Sequence, residues 1–209
     1  MKNFPKAGLL IVTLVIPALI FVMLRLFATN HYDLPYFNPQ VGGDGKVVIV
    51  NGDTVFQKRE TLQLASGDYK LGNEISVISF LPKDCSDTCK LVLSNLKRIY
   101  DMRSEANSLI IKTLSEDSVL TSSAYPDELG KEGWGTLRVT NTEAGNILNV
   151  ESASWKGKAE LYPIESRLVL IDGNGYTRGF YDGADPEEID RLMAEVKILN
   201  YENKASANP

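Results

Sequence analysis

Apolar residues fall along this chain in several distinct patterns. From Ala7 to Leu24 they are almost unbroken: AGLLIVTLVIPALIFVML is eighteen residues without a charge, and extension to Ala28 adds only Arg25. A bilayer core takes about 20 apolar residues at 1.5 Å each, so residues 1–28 read as a transmembrane anchor with Arg25 snorkelling at the interface. Pro17 is tolerated in such a helix. The alternative is a cleaved export signal, but the apolar run is long for one and Leu-Phe-Ala before Thr29 is a poor small-x-small site. From Thr29 to Gly45 the apolar period disappears. Two prolines and three glycines make residues 29–45 read as a stalk.

Beyond the stalk the patterns are those of a folded domain, expected over residues 46–200. Val47–Val50 and Thr54–Gln57 flank Asn51-Gly52, the dipeptide that favours a type I′ hairpin. Glu74–Leu81 is β-branched and apolar, a strand buried on both faces. Leu91, Leu93, Leu96, Ile99, Tyr100 and Met102 recur at near-helical spacing, so a helix follows that strand. Leu109–Leu114 is a second strand. Residues 115–150 are weakly patterned, with a short helix expected near Pro126–Lys131 and a strand over Thr136–Thr140. Arg167–Ile171 and Tyr176–Tyr181 form a hairpin about the Asp172–Gly175 turn. Asp185 as N-cap, Pro186 at the first helical position and Glu188 at the capping-box position start a last helix. Its inner face is Ile189, Leu192, Met193, Val196 and Leu199, and residues 201–209 are expected to be a disordered tail. Strand, helix, strand, a variable middle, hairpin and helix make a small α/β layer architecture.

Charge sharpens this picture. The first 28 residues hold Lys2, Lys6 and Arg25 and no acid, whereas the rest carries 27 acidic against 19 basic residues. An acidic domain without a basic run is a poor ligand for phosphate backbones, so nucleic acid is not expected as a partner. Lys2 and Lys6 before the span predict a cytoplasmic N-terminus and an exported domain, on the periplasmic side of an inner membrane. His31 is the single histidine, so a His-based triad or a multi-His zinc site would rest on one stalk residue.

The remaining chemistry lies in Cys85 and Cys89, within Pro82-Lys83-Asp84-Cys85-Ser86-Asp87-Thr88-Cys89-Lys90, between the buried strand and its helix. Junctions of this kind are where α/β folds place reactive groups, and N–H groups at a helix start favour a thiolate. Two cysteines four apart on a regular helix have Cβ atoms about 6 Å apart, too far for a disulfide, so Cys85 must lie in the loop or first turn if the pair closes. The same looseness suits Cu(I) held between two sulfurs better than zinc, which wants four ligands. A structural disulfide, or two unrelated thiols, is the plainer alternative.

With these residues in view, the chain resembles the Sco/SenC family over roughly Val47 to Leu199. The strand followed by Cys85-Ser86-Asp87-Thr88-Cys89 is similar to that family's C-x-x-x-C. Leu168–Gly175 with Tyr176–Gly183 is similar to its late hairpin, and Gly133–Leu137 to its Trp-containing strand entry. The resemblance implies a thioredoxin-like domain behind one anchor. It also implies copper bound by Cys85, Cys89 and a histidine, and a cytochrome oxidase copper subunit as recipient. The histidine's position is Ile164 here, and Lys90 replaces the usual proline after the second cysteine. A metal site would then consist of Cys85 and Cys89 with a third donor such as Glu165 or water, which favours Cu(I) over Cu(II). The expected function is that of a Sco-like accessory protein, delivering copper or reducing the recipient's cysteines with Cys85 and Cys89 as reacting groups. The alternatives are a general exported thiol–disulfide oxidoreductase and a non-catalytic module with a structural disulfide.

Other residues carry plainer expectations. Asp87 is expected to cap the helix, with proton relay by Asp84 and Asp87 as the alternative. Met102, Trp134 and Trp155 are expected to pack, His31 to sit at the membrane interface, and Asp172–Gly175 to be a hairpin turn rather than a calcium loop.

Overall fold

A computed structural model describes residues 4–27, 34–106, 108–116, 125–148 and 162–207. The chain separates into two units, Met1–Asp33 and Leu34–Pro209. In the first, helix α1 spans Phe4–Phe27 with Pro17 inside it. Among the described residues no helix is long and apolar enough to cross a membrane. His31 and Trp155 lie outside the described residues.

The second unit opens with two small hairpins. Strands β1 (Ile49–Val50) and β2 (Asp53–Thr54) pair antiparallel around Asn51 and Gly52, whose φ values of 55° and 93° meet the positive-φ demand of a type I′ turn. Strands β3 (Thr61–Leu62) and β4 (Tyr69–Lys70) form the other. Residues read as stalk in fact join this layer from Leu34 onward. Pro39 bridges Phe56, Val41 bridges Val47, and Asn38 is buried. No apolar period marks the segment because backbone bridges and single aromatic contacts, not a repeating face, hold it.

The main sheet has the order β7-β6-β5-β8-β9, from β5 (Ile75–Leu81), β6 (Leu109–Ser115), β7 (Trp134–Arg138), β8 (Arg167–Ile171) and β9 (Thr177–Asp182). β5, β6 and β7 run parallel, β8 is antiparallel to β5, and β9 to β8. Helix α2 (Asp87–Asp101), continued by a 3-10 turn at Met102–Ser104, connects β5 to β6. Helix α3 (Asn141–Leu148) follows β7, and α4 (Pro186–Ala207) closes the chain. A parallel strand–helix–strand unit joined to an antiparallel hairpin and a terminal helix is the thioredoxin-like arrangement.

Alternation along β5 divides the core. Ile75, Val77 and Leu81 join Val92, Leu96, Ile99, Leu192 and Val196 of α2 and α4, whereas Ile78 and Phe80 join Ala144, Leu148 and Leu62 on the other face. Every residue of β5 is buried, as its apolar run predicts. Trp134 is fully buried, and its indole N–H donates to Thr113 Oγ1 at 2.9 Å, while Thr113 and Ser79 hydroxyls pair at 2.9 Å. Met102 packs in the core as expected.

Several boundaries differ from the sequence expectation. The segment near Pro126–Lys131 makes turns instead of a helix, with Leu129 N–H donating to the Pro126 carbonyl. β7 begins at Trp134, two residues earlier than expected, because Trp134 fills the core. α4 runs to Ala207, through most of the expected disordered tail. Asp185 does cap α4, accepting from Glu187 N–H at 2.9 Å, but Glu188 is drawn to Arg191 instead of closing a capping box.

Candidate functional site

The loop from Leu81 to Ser86 brings the end of buried β5 to the start of α2. Cys85 and Cys89 are joined as a disulfide with Cα atoms 5.2 Å apart. The closure is possible because Cys85 precedes the helix and Cys89 lies in its first turn, as the spacing requires. Exposure is unequal: Cys89 is 2% exposed within the core shared by α2 and α4, while Cys85 is only partly buried against it. An incoming group therefore meets the Cys85 sulfur first.

Ser86, not Asp87, is the N-cap. Its Oγ accepts from Cys89 N–H at 3.2 Å. Asp87 instead points to solvent and meets Lys90 at 2.9 Å, and that hydrogen bond and charge hold its carboxyl below the usual carboxylate range. The cap was findable: serine is as good an N-cap as aspartate, and Asp87 then falls in the first turn, where its charge suits the helix dipole.

The turn before β8 faces this loop. Ser86 Oγ also donates to Glu165 Oε2 at 3.4 Å. Ile164, which stands where the family resemblance puts a histidine over the cysteines, goes the other way. Its side chain packs in the cluster of Val139, Ala144, Ile147 and Leu148, on the sheet face away from α2. The turn is held from behind by Arg167, whose guanidinium donates to the Tyr162 carbonyl at 2.6 Å and the Leu148 carbonyl at 3.4 Å. Ser166, buried, accepts from Gly183 N–H and donates its own N–H to Pro163. On the near side, Glu116 at the end of β6 accepts from Lys83 N–H at 3.1 Å.

With the pair oxidised, the donor set is not gathered around a metal. Among the described residues no group of three or more His, Cys, Asp or Glu side chains is placed to hold a metal ion. The two sulfurs are bonded to each other, and Glu165 is turned to Ser86. What the arrangement offers is a disulfide with one approachable sulfur at a helix N-terminus, which is a unit for thiol–disulfide exchange.

No family model matches the chain, and no curated protein matches it. Solved structures do. A SCO1/SenC family lipoprotein from Bacillus anthracis is similar at 16% identity and a TM-score of 0.45, over 66% of this chain and 91% of that one. BsSco, described as a member of the Sco family of cytochrome c oxidase assembly proteins with a disulfide switch, is similar at 18% and 0.46, over 68% and 91%. A thiol:disulfide interchange protein from Bacteroides is similar at 19% and 0.41, over 67% and 85%. Structural neighbours therefore include Sco/SenC proteins alongside other thioredoxin-like ones. Identity and TM-scores this low leave the fold to rest on the sheet order itself.

Proposed function

We propose that this chain is a membrane-anchored thiol–disulfide exchange protein of the Sco kind, acting outside the cytoplasm and reducing the cysteines of a recipient such as an oxidase copper subunit. The observation that carries the reading is the unequal pair, Cys85 partly exposed and Cys89 buried, at the junction of β5 and α2. In the reduced chain the Cys85 thiolate attacks one sulfur of the recipient's disulfide, and the other sulfur leaves as a thiolate that takes up a proton. Cys89, losing its proton to solvent, then displaces the recipient from the mixed disulfide. Two electrons pass to the recipient, and the Cys85–Cys89 bond forms. An external thiol must reduce the pair again.

The anchor reading is supported by the sequence alone, by the uncharged run Ala7–Leu24 and by Lys2 and Lys6 ahead of it. Alkaline carbonate extraction should leave the full chain with the membranes, and impermeant thiol reagents should reach Cys85 from the non-cytoplasmic side. Release into the soluble fraction, or labelling only from the cytoplasmic side, would refute this part.

Exchange is tested with Cys89→Ser, which should accumulate a mixed disulfide through Cys85, while Cys85→Ser should accumulate far less. Equal trapping would refute the assigned order. A Cys85–Cys89 bond that resists reduction to below about −300 mV would mark the disulfide as structural. Copper delivery rests on the two sulfurs alone. One equivalent of Cu(I) bound by the reduced chain and lost in Cys85→Ser would restore that reading.

A further inference from the structure

We propose that Glu165 is a specificity-determining residue of the exchange site, selecting recipients that carry positive charge beside their reactive disulfide. The inference rests on the exchange reading above. Glu165 sits on the turn before β8, half-buried, with its carboxylate against Ser86, the residue next to Cys85. Because Ser86 directly follows Cys85, groups flanking a disulfide at the Cys85 sulfur come within reach of Glu165.

The neighbouring charges reinforce the sign. On the loop and first turn Asp84 and Asp87 oppose Lys83 and Lys90, and Lys90 is spent on Asp87. From β6, Glu116 is fixed on the Lys83 backbone. On these three segments acids thus outnumber bases by four to two, on a domain that is itself acidic. Like charge in an approaching group is penalised and opposite charge favoured. For a unit charge several ångströms away in water-like surroundings the effect on an encounter is about two- to threefold each way. The hydrogen bond from Ser86 holds the carboxylate beside the residue that follows Cys85.

The experiment uses the reduced full chain in a non-ionic detergent with three small disulfides: cystamine (cationic), hydroxyethyl disulfide (neutral) and dithiodiglycolate (anionic). Rates are divided by those of 2-mercaptoethanol, which removes intrinsic reactivity and the charge of the attacking thiolate itself. The chain should prefer cystamine to dithiodiglycolate, and Glu165→Gln should lower that ratio by about four- to ninefold at low ionic strength. Glu165→Asp should keep most of the preference, and 0.5 M salt should erase much of it. A normalised ratio of one in the wild type, or a ratio unmoved by Glu165→Gln, overturns the assignment while leaving exchange intact. Failure to react with all three disulfides overturns the exchange reading, and the assignment with it.

Discussion

Ser86 Oγ accepts the Cys89 N–H, one of the donors that a helix start leaves without an intrahelical partner. Ser86→Ala should therefore cost about 1 kcal/mol in urea unfolding. Asp87→Ala should move the midpoint less, because its carboxylate is fully exposed and bonds only Lys90. Glu143 makes a contrasting case. Backbone N–H groups of Thr140 and Ala65, with the Thr140 hydroxyl, hold its carboxyl below the usual value of 4.5. A carboxyl lowered in the folded chain stabilises it above the unfolded value, and the contribution fades as pH falls through the folded value. Glu143→Gln should thus be less stable than the wild type at pH 7, and the difference should shrink as pH falls below 4.5 and on through the folded value. Urea titrations at pH 7 and pH 3 check this, and a constant difference would rule it out. At Ile164 the expected consequence is negative: Ile164→His should bring no gain in Cu(II) binding, since that side chain lies against α3 and not beside the sulfurs. Isothermal titration of both reduced proteins would read it.

Elements with a repeating buried face were legible and those held by single polar anchors were not. β5, β6 and β8 stand where their apolar runs put them, because apolar runs of that length have to be buried in the sheet. α2 was found from its inner residues, and its cap, expected at Asp87, falls one residue earlier at Ser86, since capping is set by one hydroxyl. The segment from Leu34 was misread as stalk because its attachment comes from far along the chain. Arg178, buried with Asp172 at 2.9 Å, also donates to the carbonyls of Leu34 at 2.9 Å and Pro35 at 3.2 Å, and its guanidinium lies 4.0 Å from the Tyr36 ring centre. No local pattern announces such a clamp. Arg178→Met should destabilise the chain by about 3 kcal/mol, the low end for breaking a buried pair. Asp172 keeps two N–H donors, from Asn174 and Tyr176, which soften the loss. Proteolysis near Leu34–Tyr36 should also quicken. Loss of stability without faster cleavage there would mean that Arg178 does not hold the segment.

For the molecule as a whole, the disulfide couples redox state to folding, and the size of the coupling follows from chain separation. Cys85 and Cys89 are four apart, so the bond closes a very short loop. Loop-closure entropy then gives the oxidised fold about 2 kcal/mol over the reduced one. That is a modest share of the ~5–15 kcal/mol that holds a domain together, so the reduced chain should stay folded, as an exchange protein must in both states. The candidate site was legible in the sequence for the same reason: the cysteines lie close together at a strand-to-helix junction. Of its charged rim, Glu165 was reached only through the family resemblance, as a third donor, and Glu116 was not reached at all, because both come from segments distant in sequence. By the thermodynamic cycle, whatever the bond adds to folding must appear in its potential. About 2 kcal/mol in a two-electron couple is ~40 mV, so the folded pair should be more reducing by that much than the same pair in concentrated urea. Stabilisation of a Cys85 thiolate by the α2 N-terminus opposes this, but it contributes little at neutral pH until the thiol is mostly ionised. Equilibration against glutathione or dithiothreitol buffers, with and without urea, gives both potentials, and urea curves of the oxidised and reduced chains give the stability difference independently. The two measurements must agree through the cycle. A folded potential above the unfolded one would mean that thiolate stabilisation outweighs loop closure, and would recast the protein as an oxidant of its recipient instead of a reductant.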